Sequence, residues 1–239
     1  MGVEGINLDE YPMLEVLGCP MTGLDHLPLE ECERRGIKVI SLQGEAEFLK
    51  DITSTADHTI GLIISLLRNY KTAFGKDGWK ERDFYKGFKL KDKTLGIIGR
   101  GRVGTQVRNI AHAFGMNVLG FDKEEPLDNL YNILEEADVV SLHIPLRGNE
   151  GFFTKQMFGK MKPMSFFVNT SRSKIVEDGA LLWALENDQI AGAAVDFIDD
   201  PYLLHYESSH DNLILTNHIA GCTWEDMART EQFIEQKVE

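Results

Sequence analysis

The residues best suited to chemistry lie at intervals along the later part of the chain. Gly99-Arg100-Gly101-Arg102-Val103-Gly104 has GxGxxG spacing. Its first glycine permits a tight turn, its second lets the main chain approach a pyrophosphate, and its third lets a helix lie close to a strand. A helix opening here aims the N–H groups of Arg102, Val103 and Gly104 at bound phosphates, with the positive end of the helix dipole behind them. Asp122 stands eighteen residues past Gly104. A carboxylate there accepts hydrogen bonds from adenosine ribose hydroxyls and repels a 2′-phosphate, so the pattern points to NAD rather than NADP. Four further polar groups follow: His143-Ile144-Pro145, Asn169-Thr170-Ser171-Arg172, Asp196 and Asn217-His218.

These groups need a scaffold that brings them to one edge. Apolar runs predict strands at Thr94 to Ile98, Asn117 to Phe121, Asp138 to His143, Ser165 to Thr170, Ala191 to Val195 and Leu213 to Thr216. The runs are continuous rather than alternating, as expected of strands buried on both faces, and the crossovers between them indicate an α/β, doubly wound parallel sheet. In such a sheet the carboxyl ends of the strands line the ligand crevice. Upstream, Leu14 to Gly18 and Ile37 to Leu42 are predicted strands flanking a polar helix, Leu29 to Arg35, that stops at Gly36. A long apolar helix starts at Thr53, with its cap expected near Ser54 and Thr55, and the polar stretch Gly75 to Gly87 is expected to be a linker. The chain then divides into residues 1–74 (a partial first domain with the long interdomain helix), 75–222 (the cofactor domain) and 223–239 (a helix returning to the first domain).

Composition removes several classes of function. Lys and Arg number 25 against 38 Asp and Glu, a formal net charge of −13, which disfavours a nucleic-acid or anionic-membrane partner. No stretch reaches the roughly 18 apolar residues of a membrane span, and no export signal is recognised at the start. Cys19, Cys32 and Cys222 are odd in number and lack metal-ligand spacing. Reduced thiols, no metal site and a cytoplasmic location are therefore expected.

Taken together, TLGIIGRGRVGTQV, ADVVSLHIPL, MKPMSFFVNTSRSKIVEDGALLWALENDQIAGAAVD, HDNLILTNHIAG and EFLKDITSTADHTIGLIISLLR resemble the D-isomer-specific 2-hydroxyacid dehydrogenases, in particular their phosphoglycerate dehydrogenase-like branch. The resemblance runs from about Leu14 to the C-terminus. The family's earlier elements of a flavodoxin-like substrate domain are not recognisable, so a truncated substrate domain beside a Rossmann domain is expected.

The resemblance implies an NAD-dependent enzyme interconverting a D-2-hydroxyacid and its 2-oxo acid, 3-phosphoglycerate and phosphohydroxypyruvate being one candidate pair. Arg172 would hold the substrate carboxylate with its rigid fork of donors. His218 would serve as acid and base, oriented by Asp200, with Asp199 and Glu207 as rivals. His143, Pro145, Thr170, Ser171 and Gly221 would line the cofactor pocket, and Asp196 would hold the nicotinamide carboxamide. The Met21-Thr22-Gly23 loop would present N–H groups to the substrate. Asp200 stands where the family has Glu in a longer loop, Ser173 where it has Gly, and Asn217 where it usually has Pro. His26, His58, His112, His205 and His210 are taken as structural or solvated. A homodimer through the cofactor domain, near the helix from Thr55 to Tyr70 and the Trp79 to Phe88 arm, is also implied. The competing reading is a catalytically impaired NAD-binding regulatory or scaffold protein on the same fold.

Overall fold

A computed structural model describes residues 6–74, 79–197 and 199–238 of the chain. Contacts divide it into two compact units, residues 1–52 with 221–239, and residues 53–220.

In the smaller unit β1 (Val16–Cys19) pairs in parallel with β2 (Lys38–Ser41), Val16 opposite Lys38. The crossover between them is α1 (Leu29–Arg35), which ends at Gly36 with φ +71, a left-handed position that glycine takes without strain. The short α2 (Ala46–Leu49) follows.

The larger unit opens with α3 (Ser54–Leu67) and α4 (Tyr70–Ala73). The expected Ser54/Thr55 cap is not formed. No side chain caps α3, and the hydroxyl of Thr53 instead donates to Asp57 at 3.1 Å. Residues 75–78 of the expected linker lie outside those described, and Trp79–Tyr85 form a 3₁₀ turn. Then come β3 (Thr94–Ile98), α5 (Arg102–Ala113), β4 (Asn117–Phe121), α6 (Leu127–Glu136), β5 (Val139–Leu142), α7 (Lys155–Phe158), β6 (Phe166–Asn169), α8 (Ala180–Glu186), β7 (Gly192–Val195), α9 (Pro201–Glu207) and β8 (Leu213–Leu215). The six strands are all parallel, in the order β4-β3-β5-β6-β7-β8. The order reverses between β3 and β5, and a crevice at the carboxyl ends is expected at that point.

Side chains alternate between the faces of the sheet. Leu95, Ile97, Val139, Phe166 and Val168 pack under α3 and α5, whereas Ile98, Val140, Leu142, Phe167 and Val195 pack under α6, α7 and α8. Both faces are thus covered, which accounts for the unbroken apolar runs. Because α3 packs on β6, β7 and α5, it belongs with the larger unit rather than with residues 1–52. The last helix, α10 (Trp224–Val238), packs on β1 and β2, and Phe233 stacks on Phe48 at 3.9 Å between ring centroids.

Candidate active site

The strand ends continue the ladder one residue beyond each strand. Gly99 N–H donates to Phe121 O at 2.9 Å, His143 N–H to Ile98 O at 2.7 Å, Asp196 N–H to Asn169 O at 3.0 Å and Thr216 N–H to Val195 O at 3.0 Å. One edge of the larger unit therefore carries the glycine turn, Asp122, His143, Arg172, Asp196 and His218.

The turn is shaped as the spacing predicts. Gly99 has φ +98, and a Cβ there would lie 2.5 Å from His143 O across the β3/β5 reversal; one on Gly104 would lie 2.0 Å from Gly99 O. Gly101 faces open space, with nothing within 4 Å of where a Cβ would stand. The N-cap of α5 is Gly101, which has no side chain to cap the helix, and the first turn carries the N–H groups of Arg102, Val103 and Gly104. Asp122 accepts the N–H of Lys123 at 2.9 Å and of Arg100 at 3.0 Å, bonds that hold its carboxyl below the usual aspartate range. An anionic acceptor at the end of β4, an uncapped helix and an open glycine between them fit a dinucleotide.

At β5 and β6 the polar groups fix one another. Ser141 Oγ lies 2.9 Å from His143 Nε2, and burial pushes the His143 pKa down to about 4, so the ring is neutral at pH 7. Ser171 donates its hydroxyl to Leu142 O at 3.0 Å and its N–H to Asn169 Oδ1 at 2.8 Å, and Asn169 Nδ2 donates to Arg172 O at 2.9 Å. Arg172 stands in extended backbone and its Nη1 reaches Ser171 O at 3.0 Å.

Asp196, at the end of β7, is 1% exposed. Its Oδ1 accepts the Thr216 hydroxyl at 2.6 Å and the Ile219 N–H at 2.9 Å, and its Oδ2 accepts the Ala220 N–H at 2.7 Å. The carboxylate expected to serve a carboxamide is thus turned toward the loop carrying His218, an exposed residue with φ +56. Sequence reasoning missed two contributors from α3. His58, grouped there with the structural or solvated histidines, has Nε2 3.2 Å from Thr216 Oγ1 and 3.6 Å from Asp196 Oδ1; Thr59 Oγ1 lies 2.9 Å from Thr170 Oγ1.

The three candidate orienting carboxylates differ. Asp200 Oδ1 accepts the N–H groups of Tyr202 at 2.8 Å and Leu203 at 3.4 Å, capping α9 ahead of Pro201. Asp199 accepts the Ser173 hydroxyl. Glu207 pairs with Lys71 at 2.6 Å, and Lys71 Nζ also donates to Glu207 O, His210 O and Leu213 O. Leu213 begins β8, which puts Glu207 at the amino edge of the sheet, whereas His218 follows its carboxyl end. Met21, Thr22, Gly23 and Gly221 fall in the smaller unit, where Met21 O accepts Leu42 N–H at 3.2 Å and Thr22 O accepts Gln43 Nε2 at 3.0 Å. Among the described residues no cluster of potential metal ligands occurs, and no helix is long and apolar enough to cross a membrane.

Comparison with known proteins bears on the same segment. Residues 60–220 match the family described as "D-isomer specific 2-hydroxyacid dehydrogenase, NAD binding domain". The chain is 32% identical to D-3-phosphoglycerate dehydrogenase of Bacillus subtilis, over 94% of this chain but 45% of that protein. It is 33% identical to glyoxylate reductase of Thermococcus litoralis, covering 91% and 71% respectively. Its fold matches D-lactate dehydrogenase from Aquifex aeolicus, solved with NAD and lactic acid, at TM-score 0.75 and 26% identity over 98% of this chain and 79% of that one. With a match across that domain and the same sheet beneath it, the chain belongs to the D-isomer-specific 2-hydroxyacid dehydrogenase family and its cofactor is NAD.

Proposed function

We propose that the protein interconverts a D-2-hydroxyacid and its 2-oxo acid, with phosphohydroxypyruvate, hydroxypyruvate, pyruvate and glyoxylate as the acids to examine. The observation carrying this reading is the convergence of Arg172, the Asp196-held loop and His218 on the edge that bears the glycine turn. The turn from Gly99 to Gly104 and Asp122 would hold NAD, which supplies a hydride acceptor in one direction and a donor in the other. Arg172 binds the substrate carboxylate and offsets negative charge developing on the carbonyl oxygen. His218 takes the hydroxyl proton as neutral imidazole and returns it as imidazolium. Asp200 orients that ring through Oδ2, since both of its cap bonds use Oδ1. The enzyme works in the cytoplasm as a homodimer through the larger unit, where Phe84 of the arm, 84% exposed, would be covered.

The test is to mix the protein with NADH and each acid and follow absorbance of the reduced cofactor. Turnover that is lost in His218→Ala, with NADH affinity retained, supports the reading. NADH bound with none of the acids turned over would favour the regulatory alternative. That alternative draws support from Asp200, whose side chain is one methylene shorter than Glu and anchored at α9, and a displacement of about 1 Å can cost roughly a hundredfold in rate.

A further inference from the structure

Next to the adenosine end of the crevice stands an ion pair that the family resemblance does not assign. Arg100, the residue between the first two glycines, lays its side chain over the end of β4: a Cβ on Gly120 would lie 2.8 Å from Arg100 Cδ. From there Nη2 reaches Glu125 Oε1 at 2.5 Å. Glu125 is itself held, since Oε1 accepts Asp122 N–H at 3.3 Å and Oε2 accepts Asn129 Nδ2 at 3.2 Å. The backbone N–H of Arg100 bonds the Asp122 carboxylate, so guanidinium and carboxylate belong to one corner. An arginine at that corner is the group that would accommodate a 2′-phosphate on the ribose.

We propose that Glu125 is a specificity-determining residue: by holding Arg100 in an ion pair beside Asp122, it keeps the guanidinium from a 2′-phosphate and so favours NAD over NADP. The inference rests on the dinucleotide reading above. Asp122 repels the extra phosphate directly, and Glu125 acts on the cation that would otherwise attract it. Lys123, exposed and 3.9 Å from Glu124, is the other cation at this corner and is not held by Glu125.

Calorimetric titration of NAD and NADP into the purified chain tests this without reference to turnover. Glu125→Gln keeps an oxygen for the Asp122 N–H while removing the charge. It should strengthen NADP binding by up to roughly fivefold, the scale of a half-exposed ion pair, and change NAD binding by less than about twofold. Arg100→Gln alone should leave NADP binding no stronger than in the unmodified chain, since the guanidinium is already withheld there, and in Arg100→Gln/Glu125→Gln the gain should vanish. An unchanged NADP-to-NAD ratio in Glu125→Gln, or a gain that survives loss of Arg100, would overturn the inference while leaving the NAD site intact. Failure of the unmodified chain to bind either dinucleotide would sink the dinucleotide reading, and this inference with it.

Discussion

Asp196 Oδ2 accepts the backbone N–H of Ala220 at 2.7 Å, two residues beyond His218. With the Thr216 hydroxyl and the Ile219 N–H on Oδ1, it brackets His218, whose backbone is left-handed. Asp196→Ala is expected to cost about 2 to 4 kcal/mol by orphaning buried donors. Turnover should fall even where the protein remains folded, because His218 loses its placement. Chemical denaturation and kcat measured on the same preparation check both halves; a stable, fully active variant would contradict them.

Asp200 is given two tasks, one per oxygen. Asn is as good an N-cap as Asp, so Asp200→Asn should leave stability near that of the unmodified chain, whereas Asp200→Ala should lose about 1 kcal/mol. If Oδ2 orients the imidazole, both variants should lose at least tenfold in kcat. A kcat unchanged in Asp200→Asn would leave Asp200 as a cap alone.

His143 supplies a pH dependence whose sign can be worked out. Its folded pKa of about 4 lies below the ordinary 6.5, so between those values the unfolded chain binds the extra proton. Stability is therefore full above pH 6.5, falls as pH drops toward 4 and levels off below, by at most about 3 kcal/mol. Denaturant titrations at pH 7 and pH 4.5 should show this loss, and His143→Gln should lack it.

Two glycines of one turn should respond oppositely to alanine. Gly104→Ala drives a methyl group against Gly99 O, where it would stand at 2.0 Å, and should cost about 1 to 3 kcal/mol in stability. Gly101→Ala meets open space and should leave the melting temperature nearly unchanged. It fills the approach to the pyrophosphate, however, and NAD affinity should fall about tenfold or more.

The turn, Asp122 and the strand ends were readable because their signals are local. Buried parallel strands write unbroken apolar runs, and glycines are demanded wherever a Cβ would strike backbone, as at Gly99 and Gly104. The α3 contributions were not readable: His58 and Thr216 meet across 158 positions of sequence, and no periodicity announces such a contact. Glu207 stood as a rival orienter in the sequence, and only its pairing with Lys71, which also bonds Leu213 O at the start of β8, shows that it ends at the amino edge of the sheet. Asp200 carried a legible second meaning, since Asp before Pro at a helix start is a capping signature.

The backbone at His218 has a further implication for how this protein drifts under mutation. L-residues with a side chain occupy that region at a penalty of about 1 to 2 kcal/mol, which glycine escapes. If His218 has the proposed acid–base role, replacing this imidazole with hydrogen would relieve the main chain while ending proton transfer, so selection for robustness alone would erode the proposed activity. A descendant freed from metabolic duty has a downhill route to becoming a sturdier, silent binder of its coenzyme.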